Sequence, residues 1–421
     1  FEGAQLRVLD VPILWVPQLR LPDPTLERAR GFLTPTLRST SLLGTGLRLP
    51  YFIPIGDHQD LTLTPYLSSE TRTLEARYRR AFTYGNIELN GAITKDSLLP
   101  GDTRGYFFAA GEFALRNGFR FDFDIETVSD DSYFNDYDYG DNERLDSAFT
   151  LSRARRDDFF STDLIYYETL RAAEDDETQP SVMVNTEYER RFFPDRIGGE
   201  FRLGAILHGH YRRSDLDIDS DDEDSVVDGR DMARLSAEAS WRRRWTLAGG
   251  LRLGVLGQLW ADRYAVWDDA SADAEASQLT PGASVELRWP LVNRQAFGGR
   301  SLLEPVAQVG WIGGDRPNIP NDESTRVEFD EANLLSLSRF PASDRHERGL
   351  VGAAGLRWQH QAPTGWTAGV TVGRVWREQV DDDFGRSSGL DGKTSDWLIS
   401  GGFANPLGLS LSARGLLDSN G

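Results

Sequence analysis

Apolar and polar residues alternate along most of the chain, and the alternation is clearest over residues 106–129. A period of two is typical of β-strands that have one face towards an apolar phase and the other towards water. The apolar positions are Phe107, Ala109, Gly111, Phe113 and Leu115, followed by Phe119, Phe121, Phe123 and Ile125. The positions between the second set are charged: Arg120, Asp122, Asp124 and Glu126.

These residues predict a β-hairpin with a three-residue loop at Arg116-Asn117-Gly118. Gly118 would take the left-handed conformation that closes such a loop. The closure would place Leu115 opposite Phe119 and Phe113 opposite Phe121, so that one face of the hairpin is apolar and the other charged.

Short turns and long polar segments alternate along most of the chain. Turn residues fall at 56–57, 84–86, 117–118, 156–158, 194–196, 247–249, 293–299, 363–365 and 405–408. Between them lie the longer polar segments 95–103, 130–143, 171–179, 213–230, 263–277, 313–348 and 380–393. Every second connection is therefore expected at the same end of the sheet, as in outer-membrane barrels with short periplasmic turns and long external loops.

The predicted fold class is all-β, a large antiparallel transmembrane β-barrel of outer-membrane type, with about nineteen strands. A soluble sandwich or a propeller would show evenly spaced turns or a blade repeat, and the sequence contains no such repeat. Tyr and Trp residues near strand ends, among them Tyr84, Tyr211, Trp289 and Trp397, suit an interfacial aromatic girdle.

Composition narrows the choice of partner and compartment. The net charge of −20 over 421 residues argues against a nucleic-acid partner. No cysteine is present, which excludes disulfides and thiolate metal sites in this stretch, and no apolar run is long enough for a transmembrane helix. Nearly all basic residues are Arg, a choice that suits anionic sugars or internal ion pairs but also follows from a GC-rich genome.

The first 65 residues break the alternation with eight prolines: Pro12, Pro17, Pro22, Pro24, Pro35, Pro50, Pro54 and Pro65. Proline has no backbone N–H, so each one removes a donor from a β-ladder. A closed barrel has no free edge on which to place them, and we therefore expect a weak seam in this region.

The same region resembles the beginning of the barrel in the LPS-assembly protein family, LptD. The resemblance lies in residues 11–17 (VPILWVP), 19–22 (LRLP), 31–35 (GFLTP), 49–52 (LPYF), 60–65 (DLTLTP) and 75–78 (EARY). A second block follows downstream in the same order, with 304–305 (EP), 321–324 (NDES), 328–330 (EFD), 333–334 (NL), 339–340 (RF), 344–345 (DR) and 347–349 (ERG).

The resemblance implies that residues 1–421 are the barrel domain of such a protein, without the periplasmic jelly-roll that precedes it and without several C-terminal strands. It implies an integral protein of the outer membrane of a Gram-negative bacterium. It further implies lipopolysaccharide as substrate, an LptE-type plug lipoprotein in the lumen and a periplasmic bridge protein of the transport system as partners. In this family a lateral gate opens where prolines weaken the first strands, and the matching positions are Pro17 and Pro22 in the first strand and Pro35 in the second.

Two further sets of residues are candidates for contact with the substrate. The alternation places Glu75, Arg77, Arg79, Glu88, Arg120, Asp122 and Asp124 on the charged face, which would line the lumen. Residues 321–349 are too long for a simple loop, and their apolar residues (Leu334, Leu335, Leu337 and Phe340) predict a folded insert in the lumen or over its mouth, with a solvated external loop as the alternative. Its candidate residues are Asn321, Ser324, Asp330, Asn333, Arg339, Asp344, Arg345 and Glu347.

Metal and catalytic sites are less favoured. His208 and His210 share one face of a predicted strand, but hydrogen bonding is the preferred interpretation over metal ligation because no third ligand is evident. The acidic run at 215–228 lacks the glycine of a calcium loop, which favours a solvated loop. Five scattered histidines outline no Ser-His-acid site, so we expect neither an enzyme nor a cofactor.

The function predicted from the sequence is the translocation of lipopolysaccharide and its insertion into the outer leaflet, through a polar lumen and a proline-weakened lateral gate. A passive or substrate-specific channel is the alternative, because it would use the same two-faced strands. The two differ in the proline-rich opening and in the need for a plug.

Overall fold

The computed structural model describes residues 2–8, 11–18, 28–140, 142–171, 174–220 and 225–418. These residues form two compact units. Unit 1 contains residues 1–150 and 165–175, and unit 2 contains residues 151–164 and 176–421. The predicted all-β character is confirmed, since strands account for nearly all of the regular structure.

Unit 1 begins with a separate pair of antiparallel strands, β1 (Glu2–Val8) and β2 (Val11–Gln18). Its main sheet contains nine further strands: β3 (Gly31–Phe32), β4 (Thr36–Thr40), β5 (Gly44–Arg48), β6 (Tyr51–Pro54), β7 (Gln59–Leu67), β8 (Thr71–Phe82), β9 (Gly85–Asp96), β10 (Arg104–Ala114) and β11 (Arg120–Val128). One short helix, α1 (Tyr133–Tyr137), follows β11. Two strands, β12 (Arg144–Ala154) and β13 (Asp158–Thr169), are divided between the units.

The hairpin predicted from residues 106–129 is confirmed. Phe113 pairs with Phe121, and the backbone N–H of Leu115 donates to the carbonyl of Phe119. The loop residues Asn117 and Gly118 have φ values of 62° and 77°, in the left-handed region that glycine adopts without strain.

Unit 2 is an antiparallel ladder of eleven strands within its described residues: β14 (Val182–Phe192), β15 (Glu200–Tyr211), β16 (Asp231–Thr246), β17 (Arg252–Trp267), β18 (Glu275–Arg288), β19 (Leu291–Asn293), β20 (Arg300–Ile312), β21 (Gly349–Gln361), β22 (Thr367–Arg377), β23 (Trp397–Ala404) and β24 (Ser410–Leu417). Each neighbouring pair is antiparallel, and β18 and β19 both pair with β20 as two parts of one interrupted strand.

The predicted alternation of connections is present in both units. Turns of two to five residues follow β8, β10, β16, β21 and β23, and segments of 15 to 36 residues follow β11, β15, β20 and β22. The connections after β9, β14 and β17 have seven residues each, so the difference in length is absent there. In the described residues, three strands are each interrupted once: β3 with β4, β5 with β6, and β18 with β19. When each is counted once and the β1–β2 pair is set aside, nineteen strand positions remain. That number agrees with the sequence-based prediction.

The strands of both units have two different faces. One face, which we call the apolar face, exposes Leu74, Ile93 and Phe107 in unit 1 and Leu235, Leu279 and Val309 in unit 2, at 44–59% of their full areas. The opposite face, the polar face, carries charged side chains and is partly covered by long connections. The buried apolar clusters lie where those connections pack on the polar face.

Candidate functional site

All seven residues that were predicted to line a lumen lie on the polar face of β8–β11 in unit 1. The registers of β8 with β9, β9 with β10 and β10 with β11 place them side by side, because Arg79 pairs with Glu88 and Glu112 pairs with Asp122. The structure therefore brings the predicted set together on one surface. That this surface lines a lumen stays a prediction.

Ion pairs connect side chains on this surface, both between strands and within β11. The Arg77 guanidinium lies 3.1 Å from the carboxylate of Glu88, and that of Arg79 lies 2.9 Å from Asp60 on β7. Arg120 contacts both Asp122, at 2.8 Å, and Glu112, at 2.7 Å. About half of the Arg77, Arg79 and Arg120 side chains remains exposed, so these groups can exchange a protein carboxylate for a polar ligand at small cost.

The connection after β11, residues 129–143, folds back onto the polar face of unit 1, and we call it the α1 loop. Tyr133 and Tyr137 of α1 are fully buried against Leu43 and Tyr66. Tyr137 donates from its hydroxyl to Asp96 at 2.8 Å, and Tyr133 shares a hydrogen bond with Thr94 at 2.7 Å. The α1 loop thus covers the polar face of β7–β10 at the end of the strands where residues 97–103 connect β9 to β10.

A buried arginine anchors the α1 loop. Arg104 of β10 is 2% exposed and contacts Asp130 at 2.7 Å, Asp136 at 2.7 Å and Asp96 at 3.1 Å. Burial alone would raise the pKa of Asp130, but hydrogen bonds from Arg104, Ser129 and Ser132 hold that pKa at about 2. Burial raises the pKa of Tyr137 to about 12, so that its hydroxyl stays a donor.

In unit 2 the predicted insert, residues 321–349, is folded and packs on the polar face of β20–β23. Its Phe329, Leu334 and Phe340 form one cluster with Val306 of β20, Val351 and Ala353 of β21, Val375 of β22 and Leu398 of β23. Phe340 also stacks on Phe384, from the connection after β22, with ring centres 4.3 Å apart.

Leu334 occupies a socket formed by two glycines. Its side chain is fully buried above Gly355 of β21 and Gly373 of β22. A Cβ atom at Gly373 would lie 2.5 Å from a Leu334 methyl group, and one at Gly355 would lie 2.7 Å from it. Neither glycine has positive φ, so the backbone conformation does not require glycine at either position. The space occupied by Leu334 does.

The charged candidates of the insert form its internal framework. Arg339 donates from its guanidinium and from its backbone N–H to Glu347, both at 2.9 Å, and this pair is almost completely buried. The hydroxyl of Ser324 donates to Asp344 at 2.5 Å. Asp330 and Asn333 cap each other's backbone N–H groups, and Asn321 accepts from the N–H of Ser324.

The insert also makes ionic contacts with strands at both sides of unit 2. Arg234 of β16 holds Glu323 through two nitrogens at 2.6–3.0 Å, and Arg414 of β24 holds Glu331 at 3.0 Å. Arg345 donates to Asp383 at 3.0 Å. The eight insert residues predicted from the sequence therefore lie together, and they position the insert more than they face an open passage.

Three of the five histidines of the chain lie where the insert meets the sheet. His208 bonds Asn185 at 2.7 Å and lies 3.8 Å from Glu323, and His210 lies 3.7 Å from Asp322. Stacked on Trp260, His346 is 5% exposed; burial and, secondarily, the nearby arginines lower its pKa to about 3. Among the described residues, no group of three or more His, Asp and Glu side chains is arranged to hold a metal ion.

The three prolines that were predicted to weaken a lateral gate lie in different parts of the chain's structure. Pro17 is part of β2, which pairs with β1 apart from the main sheet, and Pro22 lies outside the described residues. Pro35 interrupts the first strand of the main sheet, between β3 and β4. Their role in a gate stays a prediction.

Pro35 does not stand alone. Pro50 separates β5 from β6 on the neighbouring strand, and its carbonyl accepts from the N–H of Leu33 at 2.9 Å. Pro65 of β7 accepts from the N–H of Leu49 at 3.1 Å. Three successive strands therefore carry a proline at nearly the same level, and we call Pro35, Pro50 and Pro65 the proline row.

Comparison with known proteins decides the family. The model of the family described as LPS transport system D, LptD, matches residues 102–421. The chain belongs to the LptD family. It is accordingly part of an integral outer-membrane protein, and the predicted fold class, an antiparallel outer-membrane β-barrel, is confirmed.

Similar proteins named LPS-assembly protein LptD occur in several bacteria. That of Nitrosococcus oceani is 29% identical over 365 residues, which cover 82% of this chain and 46% of that protein. That of Polaromonas sp. is 26% identical over 421 residues, covering 90% and 48%. A shorter match to the protein of Bordetella pertussis is 38% identical over 129 residues, covering 30% and 16%. The chain spans about half the length of the LptD proteins that it matches over most of its residues.

Among solved structures, the outer membrane protein OprD from Pseudomonas aeruginosa covers 91% of this chain with 88% of its own, at a TM-score of 0.32 and 12% identity. OccK11 (OpdR) of the same organism covers 92% of this chain with 94% of its own, at a TM-score of 0.30 and 10% identity.

In the part of the chain that the structure describes, no helix is long and apolar enough to cross a membrane.

Sequence reasoning missed the α1 loop and the glycine socket in this LptD-family chain. Arg104 gave no signal, because its three acidic partners come from the end of β9 and from the α1 loop, which are far apart in the sequence. Gly355 and Gly373 stand in strands that pack against residues far along the chain. The α1 loop had only its aromatic residues, Tyr133, Phe134, Tyr137 and Tyr139, as a sign that it folds inward.

Proposed function

We propose that this chain is the barrel portion of a protein that delivers lipopolysaccharide to the outer leaflet of the outer membrane. The saccharide passes along the polar face, which lines the lumen, while the acyl chains leave sideways into the membrane through a seam next to the first strands. No covalent chemistry is involved. Family membership supports the substrate, and the two-faced sheet supports the separation of sugar from acyl chain.

The proline row is the observation that carries the lateral exit. Each proline removes one N–H from the ladder, and a ladder hydrogen bond is worth about 0.5–1.5 kcal/mol net, and more in lipid, where water cannot replace it. With three successive strands affected at one level, β3–β7 are the part of the main sheet of unit 1 that bends or parts at the lowest cost. Strands β8–β11 contain no proline.

The ion pairs of the polar face suit a hydrated saccharide. Arg77, Arg79 and Arg120 are about half exposed and paired with carboxylates, so they can hydrogen-bond passing sugars and phosphates without trapping them. A plug lipoprotein of LptE type would occupy the remaining lumen, and a periplasmic bridge protein would supply the lipopolysaccharide.

A disulfide across the seam tests the proposal. In the full-length protein, paired cysteines on the first and last strands of the barrel should crosslink and stop delivery of lipopolysaccharide to the cell surface, and reduction should restore it. A matched pair across β16 and β17, at Arg243 and Val255, which face each other in the ladder, should leave delivery unchanged. Normal delivery with the seam fully crosslinked would refute the lateral exit and favour a passive channel.

A further inference from the structure

A cleft on the polar face of unit 2 lies beyond the edge of the insert and has a volume of about 230 Å³. Side chains from β15–β18 and β20 line it, and Leu335 of the insert forms part of its wall. The residues of its floor are nearly buried: Ser240 is 9% exposed, Ser284 is 5% and Gln308 is 7%. The insert fixes this floor, because Gln308 donates to the carbonyl of Leu335 at 2.7 Å.

The charges around the cleft are balanced. Three arginines, Arg202, Arg242 and Arg244, alternate with three glutamates, Glu200, Glu238 and Glu286. Arg242 lies 2.9 Å from Glu200, and Glu286 is held by Arg288 at 2.6 Å. An incoming phosphate would meet as many carboxylates as guanidinium groups, so the cleft offers little net attraction to an anion.

A sugar hydroxyl fits this arrangement better than an anion does. Each hydroxyl can both donate and accept, and it finds arginine donors beside glutamate acceptors, with serine hydroxyls beneath. Leu256 and Leu335 add apolar contact for the C–H groups of a sugar ring. The mixture of a few placed polar groups and apolar walls is typical of small-ligand sites.

A glycine keeps the cleft open. A Cβ atom at Gly254 of β17 would lie 3.5 Å from the Cβ of Glu286 and 3.6 Å from the Cγ of Arg244, which are ordinary contact distances. The backbone there is a regular strand without positive φ, so larger residues are sterically allowed. A side chain at this position would occupy space between Arg244 and Glu286 without disturbing the ladder.

We propose that this cleft is a binding subsite for one uncharged, hydroxyl-rich sugar unit of a saccharide that moves along the polar face. The proposal rests on the proposed function, since it is that function which brings a saccharide to this face. It adds a resting point at defined residues, selective for neutral over phosphorylated sugars.

Saturation-transfer NMR on the full-length protein in detergent tests the subsite. The probe is the lipid-free core oligosaccharide of a Gram-negative lipopolysaccharide, used before and after enzymatic removal of its phosphates. The dephosphorylated probe should give transfer with the wild-type protein, and raising the salt concentration should not weaken it. Gly254→Val should abolish the transfer, and Ser284→Ala should weaken it.

Gly257→Val is the matched control. Gly257 lies on the same strand but on the apolar face, and a Cβ atom there would meet nothing within 4 Å. This variant should bind as the wild type does. Absence of transfer with the wild type, equal transfer in Gly254→Val, or binding of the phosphorylated probe alone would overturn the proposal.

A separate measurement distinguishes a wrong subsite from a wrong proposed function. It follows delivery of lipopolysaccharide to the cell surface when the full-length protein is depleted. If depletion stops delivery but the oligosaccharide does not bind, the subsite is wrong and the proposed function stands. If depletion leaves delivery unchanged, the proposed function is wrong.

Discussion

Replacing Gly373 with alanine should loosen the insert from the sheet of unit 2. The added methyl group would lie 2.5 Å from one Leu334 methyl and 2.8 Å from the other, well inside contact distance. Overpacking of this kind costs about 1–3 kcal/mol. Since the cost falls on the docking of Leu334, the open state of the insert should become more populated by a factor of about 5–150.

Hydrogen exchange of the full-length protein, read over residues 321–348, measures this population. Gly373→Ala should speed exchange there by that factor. Leu334→Ala should also speed exchange there, because it empties a buried site at a cost of about 2–5 kcal/mol. The double variant should lose less stability than the two single variants combined, since alanine at 334 makes room for the new methyl group.

Gly352→Ala is the control for the effect of adding a methyl group to a strand without contacting Leu334. Gly352 lies on β21, and a Cβ atom there would meet nothing within 4 Å. Its exchange over residues 321–348 should match that of the wild type. Unchanged exchange in Gly373→Ala, or strict additivity in the double variant, would refute the socket.

Three further changes test other contacts. Arg104→Met leaves three carboxylates without their buried partner and should cost about 3–5 kcal/mol in protection of the α1 loop. Arg38→Met removes the partner of Asp138, a carboxylate that is 83% exposed, and should cost under ~1 kcal/mol; equal losses would contradict the anchor. Because the pKa of His346 is lowered in the fold, its contribution is complete above its ordinary pKa of about 6.5 and is lost as pH falls below that value towards 3. Protection of the insert, corrected for intrinsic exchange, should therefore fall from pH ~7.5 to ~5, and the fall should be smaller in His346→Gln, which keeps His208 and His210 at the same boundary; a wild-type profile that is already flat would contradict this. Restoring ladder donors with Pro35→Ala and Pro50→Ala together should slow the appearance of lipopolysaccharide at the cell surface, and an unchanged rate would show that the proline row does not limit opening.

The regular part of this fold follows from local pattern. The hairpin at Asn117-Gly118 could be predicted to the residue because a strict period of two fixes which side chains share a face, and the loop then fixes the register. The residues from Glu75 to Asp124 that were predicted to line a lumen share one face for the same reason. Both predictions required only contacts between neighbouring strands.

The parts that depend on distant contacts could not be predicted. Helix α1 has five residues, too few to be stable alone, and it is held by Arg104 and by burial of its tyrosines. The apolar residues of the insert indicated a folded segment, but the socket at Gly355 and Gly373 appears only when the segment is placed on the sheet. The proline row, likewise, requires the registers of β3–β7 to be known.

Photocrosslinking in living cells tests most directly the claim that the polar face carries the saccharide and the apolar face meets the membrane. Arg77 and Leu74 lie on opposite faces of β8 and are similarly exposed, at 46% for the side chain and 44% for the residue. A photoreactive residue at 77 in the full-length protein should crosslink to the sugars of lipopolysaccharide, and one at 74 should crosslink to lipid acyl chains. Equal crosslinking of the sugars at both positions, or none at 77 during active delivery, would contradict the account.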